Sequence, residues 1–347
     1  MKEEIKKIIS QALKRTDGLR MPEISVEIPE DARHGDYASG VALGLAKQLK
    51  KNPMDVAAGI VSRIKDKKFI EKIEIARPGF INFYLSKEFF IAQLKNIDKN
   101  FGKNKNLHGE KVIVEYTDPN PFKEFHIGHL MSNAIGESIA RWYEFQGAKV
   151  RRACYQGDVG LHVAKAIWGR LQTPDLDWGR AYASGAAMYE EKKEEINAIN
   201  KKIYERSDEE INRLYEQGRG ESLARFEEMY EKLGTKFDYY FFESETTDAG
   251  KKMVEDNVGA VFEKGDGGAI VFKGERDGLH TRVFVTALGL PTYEAKDLGL
   301  PEMKYRRFKY DKSIVITANE QTEYFKVMLA ALKQISPELA EKTEHIG

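Results

Sequence analysis

Apolar residues recur along this 347-residue chain in two periods, and the switches between them mark its elements. Ile5, Ile8, Ile9 and Leu13 follow one another at helical spacing. Ile24, Val26 and Ile28 alternate, which predicts a short strand before Pro29. Tyr37 to Leu49 and Met54 to Ile64 have the spacing of two amphipathic helices. Ile70 to Ala76 and Phe80 to Leu85 are predicted strands, joined by the turn residues Arg77-Pro78-Gly79. Asn100 to His108 is polar and contains glycine, as a linker would. Residues 1–105 are therefore expected to form a small α+β domain.

Residues 110–169 carry a strand–helix–strand pattern. Val112 to Tyr116 is an apolar strand. Leu130 to Gln146 is a helix with apolar positions at Ala134, Ile135, Ile139, Trp142 and Phe145. Val150 to Tyr155 is a second strand, ended by Gly157-Asp158-Val159-Gly160. Such a unit implies a crossover and a parallel sheet, with ligands at the carboxyl ends of the strands. The loops holding His126 to His129 and Gly157 to Gly160 are then expected on one sheet edge. Residues 170–260 read as an insertion, mostly helical, with a solvated helical pair between Met188 and Leu233. Gly265-Asp266-Gly267-Gly268 reads as a hairpin turn. Sheet-like organisation returns with Arg282 to Ala287 and Ser313 to Thr317, followed by a helix over Glu323 to Gln334.

Composition narrows the class without naming a chemistry. Hydrophobic content of 41% and charged content of 32% suit a globular domain. There is no apolar run of about 18 residues, so no membrane helix is expected. The start, Met-Lys-Glu-Glu-Ile-Lys-Lys, lacks an apolar signal core, and a cytoplasmic location is expected. Cys154 is the only cysteine, which excludes an intrachain disulfide and a four-cysteine zinc site. Net charge is zero but unevenly spread. Residues 1–105 hold 21 Lys and Arg against 14 Asp and Glu, and the remainder 34 against 41. A basic N-terminal third fits contact with nucleic-acid phosphates, and fits an ordinary lysine-rich surface as well.

Candidate chemistry lies in Pro119-Asn120-Pro121-Phe122-Lys123-Glu124-Phe125-His126-Ile127-Gly128-His129, between the first strand and its helix. Two imidazoles at a helix N-terminus suit nucleotide phosphates, because free N–H groups and the helix dipole already favour negative charge there. Gly128 leaves room for a base or ribose beside the backbone. Lys123, three residues earlier, could reach the same phosphates. Glu115 and Asp118 lead into this loop, Asn120 lies in it, and Asp297 closes Pro291 to Asp297. Carboxylates gathered at one sheet edge would bind a cation: a metal, an ammonium or a guanidinium. His34, His108, His162, His280 and His345 have no spacing that argues for a metal.

These residues together resemble the arginyl-tRNA synthetases, class I aminoacyl-tRNA synthetases. The resemblance rests on Val114-Glu115-Tyr116-Thr117-Asp118-Pro119-Asn120 running into His126-Ile127-Gly128-His129, and on Gly157-Asp158-Val159-Gly160. It rests also on Tyr293 with Asp297, and on Asn319-Glu320-Gln321 with Tyr324-Phe325. His34-Gly35-Asp36-Tyr37-Ala38 and Pro78-Gly79-Phe80-Ile81-Asn82-Phe83 resemble the family's own N-terminal domain, which touches the outer corner of tRNA. The resemblance implies an α/β fold: a Rossmann-type catalytic domain over 110–347, interrupted by the 170–260 insertion and preceded by the α+β domain of 1–105. It implies that Glu115, Tyr293 and Asp297 hold the guanidinium of arginine, and that Asn120 and Gln321 fix the amino-acid end. His126, Gly128 and His129 would bind ATP with its Mg2+, without a structural metal. Lys123 matches a lysine that some members carry upstream of the histidines. The implied activity is arginine–tRNA ligation through arginyl-adenylate, with tRNA(Arg), arginine and ATP as partners and a monomer as the expected state.

Two departures stand out. Asp118 occupies a position where many members have serine; its charge would strengthen the pull on a cation or repel the substrate carboxylate. The family's second ATP motif and its helical anticodon-binding domain are absent, so the chain reads as truncated after the catalytic portion. The alternatives are a small-molecule nucleotidyltransferase sharing the two histidines and a catalytically silent tRNA-binding fragment.

Overall fold

The computed structural model describes residues 1–13, 22–65 and 68–347. The chain divides into two units, Met1–Gly102 and Lys103–Gly347. Among the described residues no helix is long and apolar enough to cross a membrane.

In the first unit, helix α1 (Lys2–Leu13) buries Ile5, Ile8, Ile9, Ala12 and Leu13, the face its spacing predicts. Strand β1 (Tyr37–Ser39) is followed by helices α2 (Val41–Leu49) and α3 (Pro53–Arg63). Asn52 caps α3 by accepting the Met54 N–H, and Pro53 opens it with a φ already suited to a helix. Strands β2 (Ile70–Ala76) and β3 (Phe80–Leu85) form the predicted hairpin, and helix α4 (Lys87–Leu94) follows. The sheet runs β1-β3-β2, antiparallel throughout, and shares one core with α1 to α3.

Two local expectations are corrected here. Ile24 to Ile28 does not form a strand; only Glu27 bridges Ala38. Val26 is buried but Ile28 is exposed, and Pro29 has no N–H to continue a ladder. Tyr37 to Ser39 does not begin a helix either. It pairs with Ile81 to Phe83, and the helix starts after Gly40. Alternation and helical spacing both fit so short a segment, and tertiary pairing decides between them.

The second unit is built on a parallel sheet. Its elements run β4 (Lys111–Glu115), α5 (Ile127–Phe145), β5 (Lys149–Gln156) and α6 (Leu161–Gln172), then α7 (Trp178–Ala187), α8 (Lys193–Glu205) and α9 (Glu209–Leu233). After them come β6 (Tyr239–Phe242), α10 (Glu243–Asp256), β7 (Glu263–Lys264), β8 (Ile270–Phe272) and β9 (Arg282–Val285). The unit ends with α11 (Tyr293–Arg307), β10 (Lys312–Ile316), α12 (Thr322–Ile335), α13 (Pro337–Glu341) and β11 (Thr343–Ile346). The five-stranded order is β11-β10-β4-β5-β6, and every pair is parallel. Strand order turns around at β4, so the crevice between β4 and β10 is where a doubly wound sheet binds ligands.

The helical insertion is shorter than the sequence suggests. Tyr239–Phe242, inside the 170–260 stretch, is the edge strand of the sheet, paired with Ala153 to Gln156. Four consecutive aromatic residues carry no period by which to recognise a strand. Arg282–Val285 lies not in the parallel sheet but in a separate antiparallel sheet, β7-β8-β9, whose hairpin turns at Gly265 to Gly268. Helix α11 escaped the pattern reading because its circumference is largely buried and it holds Gly299 and Pro301.

Candidate active site

The loop leaving β4 is under backbone strain. Thr117, Asp118 and Phe122 all have positive φ, at 80°, 45° and 70°. Such angles are uncommon outside glycine and persist only where surroundings enforce them. The enforcing contacts are visible. Asn133 Nδ2 donates to Thr117 Oγ1 at 3.0 Å, and Tyr155 N donates to Asp118 Oδ1 at 2.7 Å. Phe122 is fully buried against Trp178 and Tyr215 of the insertion, and its N–H donates to Ser222 Oγ at 2.9 Å. The helical insertion thus holds the loop in place. Phe122→Ala is expected to cost about 3–5 kcal/mol in urea unfolding, as loss of a fully enclosed ring.

His126 is the N-cap of α5, and His129 sits in its first turn. His126 Nδ1 accepts the Gly128 N–H at 3.1 Å, and His129 Nδ1 accepts the His126 N–H at 3.1 Å. With Nδ1 engaged as acceptor, each neutral ring carries its proton on Nε2 and offers it as a donor. The rings stack at 3.8 Å between centroids. A Cβ on Gly128 would stand 2.9 Å from His126 Cε1, so the stacked arrangement requires glycine there. Burial lowers the His129 pKa to about 4, helped by His126 and Lys123, so this ring is neutral near pH 7. Burial likewise lowers the Lys123 pKa, and its Nζ lies 5.2 Å from the Tyr182 ring.

A cavity of about 520 Å³ opens at the carboxyl ends of β4, β5 and β10. The structure brings Glu115, Asp118, Asn120, Tyr293, Asp297 and Gln321 together in its lining. His126, Gly128, His129 and Lys123 are not among the lining residues. Asn120 belongs to the same loop as the histidines and accepts the Gly157 N–H at 3.0 Å. A Cβ on Gly157 would fall 2.4 Å from that acceptor, so only glycine allows the two loops to close here.

Acidic residues dominate the cavity, and three of the six are ion-paired. Glu115 Oε2 lies 3.0 Å from Lys304 Nζ, Glu243 pairs with Lys296 at 2.7 Å, and Glu294 pairs with Arg282 at 3.0 Å. Glu320 is exposed. Asp118 and Asp297, both half-buried, are lining carboxylates with no ion-pair partner among the described residues. Asp297 accepts the Tyr324 hydroxyl at 2.5 Å. Burial raises its pKa to about 7 against that hydrogen bond, and the charges of Glu243, Glu115 and Glu294 add to the rise. Asp118 is pushed well above the usual carboxylate range by burial and by Glu115.

Comparison with known proteins decides the family. The family model described as "Arginyl tRNA synthetase N terminal domain" matches residues 3–85, and "tRNA synthetases class I (R), catalytic domain" matches residues 91–347. The chain belongs to the arginyl-tRNA synthetase family. It is 31% identical over 367 residues to an arginine–tRNA ligase of Clostridium kluyveri, covering 99% of this chain and 62% of the relative. It is 27% identical over 356 residues to that of Treponema denticola, covering 95% of this chain and 60% of the relative. The chain therefore spans about three fifths of the length of these curated relatives. The fold is that of arginyl-tRNA synthetase from Thermus thermophilus, with a TM-score of 0.63 at 22% identity over 100% of this chain and 65% of that one. The enzyme from Plasmodium falciparum gives 0.61 at 21%, over 100% and 64%.

Several residues of this site have roles that the sequence does not announce. Asp158 is buried and accepts from Ser244 N, Ser244 Oγ, Tyr215 Oη and Arg219 Nε, tying the Gly157 loop to α9 and α10. His162 is buried, and its Nε2 lies 2.7 Å from the Gly157 carbonyl; burial takes its pKa to about 3. Glu243, Lys296, Arg282 and Lys304 are isolated charges in the sequence. One signal was available: Lys296, Leu300 and Lys304 repeat every four residues, which puts both lysines on one helix face with an apolar neighbour.

Proposed function

We propose that the cavity is the arginine site of an arginine–tRNA ligase and that the His126–His129 loop holds the phosphates of ATP. The observation that carries this reading is Asp297, a lining carboxylate hydrogen-bonded by Tyr324 and, like Asp118, without an ion-pair partner among the described residues. A guanidinium is the cation suited to it, because a planar fork of donors can meet Asp297 and stack near Tyr293 at once. Asn120 and Gln321 are the neutral polar residues at the cavity wall that would take the amino-acid end.

The chemistry follows from placement. The arginine carboxylate attacks the α-phosphorus of ATP, the bond to the bridging oxygen breaks, and pyrophosphate leaves with that electron pair. The Nε2–H donors of His126 and His129, with the N-terminus of α5, stabilise negative charge growing on the phosphate oxygens. Lys123 supplies a further cation from the same loop. Mg2+ would accompany ATP as its counter-ion. The terminal ribose hydroxyl of tRNA(Arg) then attacks the activated carbonyl and releases AMP. The N-terminal unit would meet tRNA through the basic excess of residues 1–105, in a monomeric cytoplasmic enzyme.

Thermal melting with amino acids tests the substrate. Arginine at a hundredfold excess over its Kd is expected to stabilise the chain by about 2.7 kcal/mol, while lysine and glutamate leave Tm unchanged. Equal shifts with all three, or none with arginine, would contradict the reading.

A further inference from the structure

We propose that Asp118 is a second specificity determinant of the cavity: its carboxylate takes the α-ammonium of the substrate, beside Asn120, which takes the α-carboxylate. The inference rests on the arginine reading above and deepens it. Two lining carboxylates, Asp118 and Asp297, have no ion-pair partner among the described residues, and free arginine carries two cationic ends. Asp297, oriented by Tyr324, stands with Glu115 for the guanidinium. Glu115 Oε2 lies 3.0 Å from Lys304 Nζ, yet it is buried and receives no hydrogen bond among the described residues, so it still calls for a donor. Asp118 is left for the other cation.

Strand β5 sets the geometry. Glu115 pairs with Ala153, Asp118 Oδ1 accepts the Tyr155 N–H at 2.7 Å, and Asn120 Oδ1 accepts the Gly157 N–H at 3.0 Å. These are alternate residues of one strand and its end, so the N–H groups that anchor Asp118 and Asn120 are about 6–7 Å apart. Both side chains are thereby fastened on the way from Glu115 to the carboxyl edge. Each keeps one polar atom without a hydrogen bond among the described residues. Asp118 keeps Oδ2, an acceptor, and Asn120 keeps Nδ2, a donor. A charged acceptor beside a neutral donor matches a zwitterion, with the ammonium on Asp118 and the carboxylate on Asn120. Burial and the nearby Glu115 make an unmatched charge on Asp118 costly, and an arriving ammonium removes that cost. Attraction of a cation therefore prevails over repulsion of the substrate carboxylate, which has Asn120 to meet.

Three ligands titrated calorimetrically against the full 347-residue chain isolate the ammonium. They are L-arginine, guanidinovaleric acid, which is arginine without its α-amino group, and agmatine, which lacks only the carboxylate. The parent is expected to bind guanidinovaleric acid at least about a hundredfold more weakly than arginine. Asp118→Asn keeps the acceptor for the Tyr155 N–H and, like Asp, tolerates a φ of 45°, so it removes only the charge. It is expected to weaken arginine and agmatine at least about thirtyfold. Guanidinovaleric acid should stay within about threefold of its parent affinity, whereas Asp297→Asn weakens all three ligands. Asp118→Ser, the residue many family members carry there, is expected to behave as Asp118→Asn does. Equal affinities of the parent for arginine and guanidinovaleric acid overturn the proposal and need no folded variant. So does an Asp118→Asn chain that loses guanidinovaleric acid as it loses arginine, because Asp118 would then be a further partner of the guanidinium. An unchanged arginine affinity in Asp118→Asn overturns it as well. A parent chain that binds none of the three removes the arginine reading, and this inference with it.

Discussion

Asp297→Asn is expected to weaken arginine binding about a hundredfold. Truncating one partner of a buried, hydrogen-bonded charge pair costs about 2–5 kcal/mol, and the lower half of that range corresponds to about two orders of magnitude in Kd. The same residue makes binding depend on pH with a defined sign. Its folded pKa, raised from 3.8 to about 7, means that the folded chain prefers the protonated carboxyl. That preference favours folding fully below the ordinary value of 3.8 and is lost as pH rises through about 7. A guanidinium prefers the ionised form, so arginine affinity moves the other way. It should rise roughly tenfold between pH 6 and pH 8, with release of a proton, and Asp297→Asn should flatten the profile. Glu243, Glu115 and Glu294 face Asp297 and each adds to the rise, and Asp118 lines the same cavity within reach of its charge. Titration calorimetry in buffers of different ionisation enthalpy reads both the affinity and the proton count.

The second large effect is expected at His129. His129→Ala should lower arginine-dependent ATP–pyrophosphate exchange, measured with tRNA present, by at least about a hundredfold. Two contributions disappear together. The Nε2–H donor aimed away from the helix is lost, and the His126 N–H loses its acceptor. Loss of such a cap alone costs about 1 kcal/mol and cannot account for the expected fall in rate. Because the His129 pKa lies near 4, the contribution of this ring should be constant from pH 6 to pH 8. A pH-dependent effect of the substitution across that range would mean that the ring acts as a charged group.

How far sequence reached depended on whether a residue's role is local. The strands Lys111–Glu115 and Lys149–Gln156, and the helix Ile127–Phe145 between them, follow from periodicity because each buries a stripe or a run that repeats. The histidines at the head of that helix were legible for the same reason, since a helix N-terminus is a local feature. The strand Tyr239–Phe242 and the helix Tyr293–Arg307 were not, because one is a uniform aromatic run and the other is buried nearly all round. Strain in the loop after β4 could not be read at all, since Thr117 and Phe122 are not residues that announce a positive φ.

The cavity shows the same division. Glu115, Asp118 and Asp297 could be named from sequence, but which of them lacks an ion-pair partner depends on partners far away along the chain. Lys304 is 189 positions from Glu115 by residue number. Arg282 meets Glu294 across a strand and a helix start, and Tyr324 reaches Asp297 from α12. A count of acids would have assigned the cation to any of them. The pairing pattern narrows the choice to Asp118 and Asp297, and the Tyr324 hydroxyl orients Asp297.

Calorimetric titration of the chain with arginine and with citrulline at pH 7.5 tests the central claim most directly. The two ligands share their shape, and citrulline replaces the guanidinium by a neutral urea group. A cavity whose selecting charge is Asp297 should bind arginine at one site per chain and show at least about a hundredfold weaker binding of citrulline. Equal affinities would show that shape alone fills the cavity, and the assignment of an uncompensated carboxylate to a guanidinium would be contradicted.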